Sequence, residues 1–216
     1  MKIIIQCASS KKPGAGTLTT SDGRPVTFVA NVALAPRDNG KLYARPDDAS
    51  DVPGMSWRLR LEELNSAGAA SDSLLEAYRL YKPSVYAKLI AKFGLMNVFI
   101  LSAGWGLIRA NYRLPAYDIT YSGAADGYKR RRMNDPYRDF NHVSTVGGPL
   151  IFFGGSDYLP LFDQLTRSGS GEKVVFYRSS TPPANKSWRT IKYETTQTTN
   201  WHYSCAKDLI RGTIRI

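Results

Sequence analysis

The densest group of chemistry-bearing residues runs from Asn97 to Tyr121, NVFILSAGWGLIRANYRLPAYDITY. Asp118 is its one carboxylate, and Trp105, Asn111, Tyr112 and Tyr117 precede it. A carboxylate flanked by aromatic rings can grip a planar ring and stabilise a cationic transition state, because fixed negative charge lowers the energy of developing positive charge. Asn111 adds an amide that both donates and accepts hydrogen bonds. The same residues also fit a loop held by aromatic packing, with Asp118 capping the next turn.

Three further segments carry anion-binding chemistry. The run Lys2–Gln6 opens into CASSKKPGAG, where Cys7, Ser9, Ser10, Lys11 and Lys12 follow a strand pattern. Backbone amides, the two hydroxyls and the two ammonium groups there could hold a phosphate, although the Walker A spacing is absent. An exposed turn with lysines for solubility is the alternative. Gly154, Gly155 and Ser156 follow another apolar run and would place free helix amides near an anion, or else allow tight packing of strand on helix. Lys129, Arg130, Arg131 and Arg132 form the one strong charge run, with Tyr128, Tyr137 and Phe140 around it. That pattern suits contacts to a phosphate backbone as well as a solvated face.

The whole chain agrees with a polyanionic partner. Its 216 residues carry 29 Lys and Arg against 18 Asp and Glu, a net charge of +11. Such an excess concentrates polyanions at the surface, and 13 Tyr and 4 Trp supply candidate stacking platforms for bases. No long apolar span or basic amphipathic helix points to a membrane. The N-terminal MKIIIQC has too short an apolar core for a secretory signal. Cys7, Cys205, His142 and His202 lack any tight ligand spacing, so neither a zinc site nor another cofactor is expected. The expected setting is cytoplasmic, with reduced thiols.

The elements that must position these residues read as an α/β protein. Apolar strands are predicted at 2–6, 98–101, 149–153 and 173–177, with a later one at 187–193. Helices are predicted at 57–65, over 71–93 with a capping box at Ser73 and Glu76 and a break at Pro83, at 158–165 and at 203–211. The strand–helix–strand order implies a three-layer sandwich with a mostly parallel central sheet flanked by helices. One domain is expected over 1–216, with a loop-rich excursion at about 13–56 that carries one extended segment, 26–34.

The ordered set IIIQCASSKKP, FILSAGWGLIRANYRLPAYDITY and PLIFFGG resembles the YaaA-like superfamily, which includes peroxide-stress DNA-binding proteins and small domains allied to deazaguanine-modification enzymes. Cys7, Ser9, Ser10, Lys11 and Lys12 match a strand-end Cys-Ser-Lys loop. Residues Ser102 to Leu107, including Gly104 and Trp105, match an LSA-aromatic-GL turn, and Pro115, Tyr117 and Asp118 match a PYD element with Ala116 inserted. The resemblance covers the first strand and about residues 72–165, and Trp105 stands where a smaller aromatic is usual. It implies an α/β architecture similar to that of uracil-DNA glycosylases and a role on nucleic acid.

The leading expectation is therefore a monofunctional DNA glycosylase that flips out and excises a modified or damaged base from double-stranded DNA. Its setting would be repair, or antiviral defence if the target is a hypermodified viral base. Trp105, Tyr112 or Tyr117 would stack on the base and Asn111 would read its edge. Asp118 would stabilise the sugar cation or orient water, as glycosidase carboxylates do, with His142 a candidate donor to the leaving base. Lys11, Lys12, Lys129, Arg130, Arg131 and Arg132 would hold phosphates. The alternatives are a DNA-binding stress protein without turnover and a base-exchange transferase acting on nucleotides.

Overall fold

Runs of three or four Ile, Val, Leu and Phe residues with no polar alternation must be covered on both faces, and they form the centre of a parallel sheet. In the computed structural model, which describes residues 1–37, 40–68, 74–143 and 147–216, the strands are β1 (Lys2–Gln6), β2 (Val26–Val29), β3 (Leu42–Ala44), β4 (Leu75–Glu76), β5 (Val98–Ser102), β6 (Gly106–Arg109), β7 (Arg113–Leu114), β8 (Tyr117–Asp118), β9 (Phe140–Asn141), β10 (Leu150–Phe153), β11 (Lys173–Tyr177) and β12 (Trp188–Lys192). The helices are α1 (Trp57–Ser66), α2 (Ala77–Leu80), α3 (Val85–Phe93), α4 (Leu159–Thr166) and α5 (Trp201–Arg211).

The central sheet has seven strands in the order β12-β11-β10-β1-β5-β6-β9. All its pairings are parallel except β5 with β6. Helices flank it, giving the three-layer α/β sandwich expected. Phe152 stacks on Phe162 of α4 at 4.6 Å, and Phe153, facing the other way, stacks on Phe176 at 5.1 Å. Ile3, Ile4 and Ile5 are fully buried at the middle of the core.

The 13–56 excursion builds structure of its own. β2 and β3 join β8 in a small parallel sheet, order β3-β2-β8, whose register sets Phe28 beside Tyr117 and Val29 beside Asp118. The predicted extended segment 26–34 thus holds only to Val29 and then tightens into a 3-10 turn at Val32–Leu34. The helix predicted over 71–93 is also shorter than expected. Leu75 and Glu76 pair instead with Leu114 and Arg113, and Pro83 separates α2 from α3. Glu76 therefore belongs to a strand and not to a capping box, and Ser73 lies outside the described residues. Gly94 ends α3 at φ +84° and donates its N–H to the Ile90 carbonyl. No helix among the described residues is long and apolar enough to cross a membrane.

Candidate functional site

The sheet places a crevice where its connections diverge. From β1 the chain crosses to β5 on one side, and β10 lies on the other side of β1, followed outward by β11. Ligands in open α/β sheets collect outside the carboxyl ends of strands at such a switch point. An open two-lobed cleft lies on this side of the molecule. One lobe, about 370 Å³, is lined by Ser9, Lys11, Asp118, Thr120, Ser122 and Lys129 among others. The other, about 380 Å³, shares Ser9, Lys11 and Asp118 and adds Thr17, Thr27 and Tyr117. The pair of lobes matches the size of a nucleotide-scale ligand.

Backbone pairing fixes the shared residues. Lys11 bridges to Tyr81, the Lys12 N–H donates to the Leu80 carbonyl at 2.8 Å, and the Lys82 N–H donates to Ser10 at 3.2 Å. The Lys11 ammonium lies 4.1 Å from the centroid of the Tyr117 ring. Burial lowers the Lys11 pKa, Lys129 adds to that effect, and the nearby Cys7 and Asp118 oppose it. Asp118 is exposed on β8. Lys129 pairs with Asp126 at 3.1 Å, and that hydrogen bond raises its pKa.

A buried nest of hydroxyls supports this cleft. The Tyr117 hydroxyl lies 2.8 Å from that of Tyr81 and accepts from Ser102 Oγ at 2.8 Å. Cys7 Sγ lies 3.2 Å from the Tyr158 hydroxyl, and Tyr86 donates to the Gln6 carbonyl at 2.9 Å. Burial pushes the pKa values of Tyr81, Tyr117 and Tyr158 well upward, so these phenols stay neutral. Every hydroxyl of the nest has a partner, which makes it a rigid support.

The SAGWG turn after β5 is held from below by two arginines. Arg131 donates to the Ala103 carbonyl at 2.8 Å and forms a bidentate pair with Asp139 at 2.8 and 2.6 Å. Arg58 donates to the carbonyls of Gly104 and Trp105 and pairs with Asp47 at 2.6 Å. Ser102 Oγ accepts from the N–H groups of Gly104 and Trp105. Gly106 sits at φ +88°, where an added Cβ would meet the Phe140 carbonyl at 2.5 Å. Gly104 lets Tyr117 and Ile119 approach closely, at 3.2 and 3.1 Å from where its Cβ would be.

Several expected roles change with this geometry. Trp105 is fully buried between Phe28, Phe140 and the Arg58 guanidinium, and no face is free to stack on a base. Tyr117 is buried too, with Lys11 over its ring. Arg131 is spent on Asp139, the two side chains being 3% and 2% exposed, so it has no access to a phosphate. Asn111, Tyr112 and His142 lie at the other end of the sheet. β6 runs antiparallel and pairs Arg109 with Phe99, which carries the chain back toward the amino end of β5 before β8 returns. There they line a separate cleft of about 600 Å³ with Glu62 and Arg109. His142 Nδ1 accepts the Arg109 N–H, and burial, helped by Arg109, pushes its pKa down to about 4.

The remaining expected residues divide. Lys12, Ser9 and Ser10 are exposed on the loop after β1. Arg130 and Arg132 line a basin of about 460 Å³ with Arg45 and Asn31. Gly154 allows tight packing, since a Cβ there would meet the Phe152 ring at 2.2 Å. The Gly155 N–H is taken by Gln6 Oε1 at 2.6 Å, and Ser156 is exposed beyond it. Arg58, Asp47 and Asp139 had no signal in the sequence, because a buried charge pair is set by tertiary proximity and not by spacing. Among the described residues no cluster of His, Cys, Asp or Glu is placed to hold a metal ion. Comparison with known proteins gives no match among family models, curated proteins or solved structures.

Proposed function

We propose that the Ser9–Lys11–Asp118 cleft takes a nucleotide extruded from DNA and that Asp118 assists cleavage of its N-glycosidic bond. The observation that carries this reading is an exposed carboxylate in a cleft that Lys11 and Lys129 also line. Ammonium groups attract the phosphates on either side of the nucleotide, while the Asp118 carboxylate, unlike Asp126, which is paired with Lys129, faces a sugar that turns cationic as its base departs. Ser9 and Thr120 stand in the same lobe and offer hydroxyls to the base or to attacking water. Lys12, Arg130 and Arg132 extend the positive surface, in keeping with the net charge of +11. The resemblance of the ordered motifs to those of YaaA-like proteins supports a partner of the same class.

One observation favours a second reading, DNA binding without turnover. The rings expected to grip a base, Trp105 and Tyr117, are buried, and Asn111 and His142 are remote from Asp118. Incubation of the protein with duplexes carrying different modified bases separates the two, with released base followed by mass spectrometry. Release that Asp118→Asn abolishes supports excision. Tight binding with no release from any duplex replaces it with the binding reading.

A further inference from the structure

Lys11 differs from the other amines around the cleft. Lys129 is paired with Asp126 at 3.1 Å, and Lys12 is exposed. Lys11 lines both lobes beside Asp118, and among the described residues its ammonium forms no ion pair. It rests instead over the Tyr117 ring, whose hydroxyl is locked by Tyr81 and Ser102. Backbone bonds on both sides of Lys11 fix its main chain at the cleft, and the Tyr117 ring is the contact of its amine.

We propose that Lys11 is a nucleophile toward abasic DNA, and that the protein cleaves the strand there by β-elimination. This activity shares the cleft assigned above and extends that reading from base excision to strand scission. The free amine of Lys11 adds to C1′ of the ring-opened deoxyribose, and the carbonyl electron pair moves to oxygen. Loss of water leaves a protonated imine between Nζ and C1′. Asp118, in the same cleft, takes a proton from C2′. The electron pair then expels the 3′ phosphate by breaking the C3′–O bond. Water hydrolyses the imine, returning the amine and releasing an unsaturated aldehyde on the upstream fragment. No electrons are gained or lost, and no co-reactant beyond water is needed. The first step requires an unprotonated amine, and burial of Lys11 enlarges that fraction against the opposing effect of Cys7 and Asp118.

The test mixes the folded protein with an oligonucleotide carrying one preformed abasic site, in the presence of sodium borohydride. Borohydride reduces the imine to a stable amine, and peptide mapping locates the cross-link. The expected result is an adduct at Lys11 that falls at least ~10-fold in Lys11→Ala and Lys11→Arg. The arginine variant keeps a cation over Tyr117 and so controls for lost packing, with thermal melts showing that both variants fold. No adduct from the wild-type protein, an adduct on another residue, or an adduct undiminished in Lys11→Arg overturns the proposal. Because the abasic site is supplied, the result does not depend on base excision. Base release without an adduct removes only the lyase, and an adduct without base release removes only the glycosylase.

Discussion

Replacing Arg131 by alanine removes a guanidinium that does three things at once. It neutralises Asp139 through two bonds of 2.8 and 2.6 Å, donates to the Ala103 carbonyl at 2.8 Å, and lies 3.7 Å from the Tyr137 ring centroid. Both charged side chains are almost completely buried. Removing one partner of such a pair strands the other charge and costs ~3–5 kcal/mol. A protein of this size loses about 2–4 °C of Tm per kcal/mol, so the melt should fall by roughly 6–20 °C. Urea unfolding of Arg131→Ala, Asp139→Leu and the double variant Arg131→Met/Asp139→Leu measures the coupling. The double variant should recover much of the loss, since an apolar pair of similar volume has no charge to desolvate. If Arg131 were instead a surface phosphate contact, stability would move by less than ~0.5 kcal/mol and only DNA affinity would suffer. That outcome would refute the buried clamp.

Three other perturbations follow from the same structure. Gly106→Ala should destabilise by at least ~1–3 kcal/mol, from its positive φ and from the Cβ meeting the Phe140 carbonyl; urea unfolding reads it, and a neutral result would contradict the tight turn. His202 is 3% exposed, and burial pushes its pKa from 6.5 down to about 4. Between those values the unfolded chain binds a proton that the folded chain does not, so stability is full above pH 6.5 and falls as pH drops through that window, by up to ~3 kcal/mol. His202→Gln should flatten that slope in pH-dependent melts. On DNA, Lys12→Ala or Arg132→Ala should each lower the slope of log affinity against log salt by about 1. Unchanged slopes in both would remove these residues from the DNA surface.

The central sheet was legible because its strands are buried on both faces. The apolar runs of β1, β5, β10 and β11 announce themselves, and their structural limits fall within a residue of the expected ones. The small sheet was not, because β2, β3 and β8 are four, three and two residues long, too short for period-2 alternation to show. The rule that strand-end loops hold ligands points to Lys11 and Ser9, and isolation among aromatics points to Asp118; the fold brings the three to one cleft. Asn111 and His142 were misplaced for a topological reason. The stretch from Gly106 to Asp118 reads as one loop, yet it contains a hairpin strand, β6, that takes Asn111 to the far end of the sheet. Trp105 and Arg131 look like surface chemistry by residue type, and only the tertiary fold shows that each is consumed in packing.

The proposed excision depends on Asp118, and single-turnover base release with parallel affinity measurements tests that role most directly. On a duplex that the wild-type protein processes, Asp118→Asn should slow release by ~10²–10³-fold while its affinity for DNA is retained. Release at the wild-type rate in Asp118→Asn would contradict the central claim and move the chemistry to another residue of the cleft.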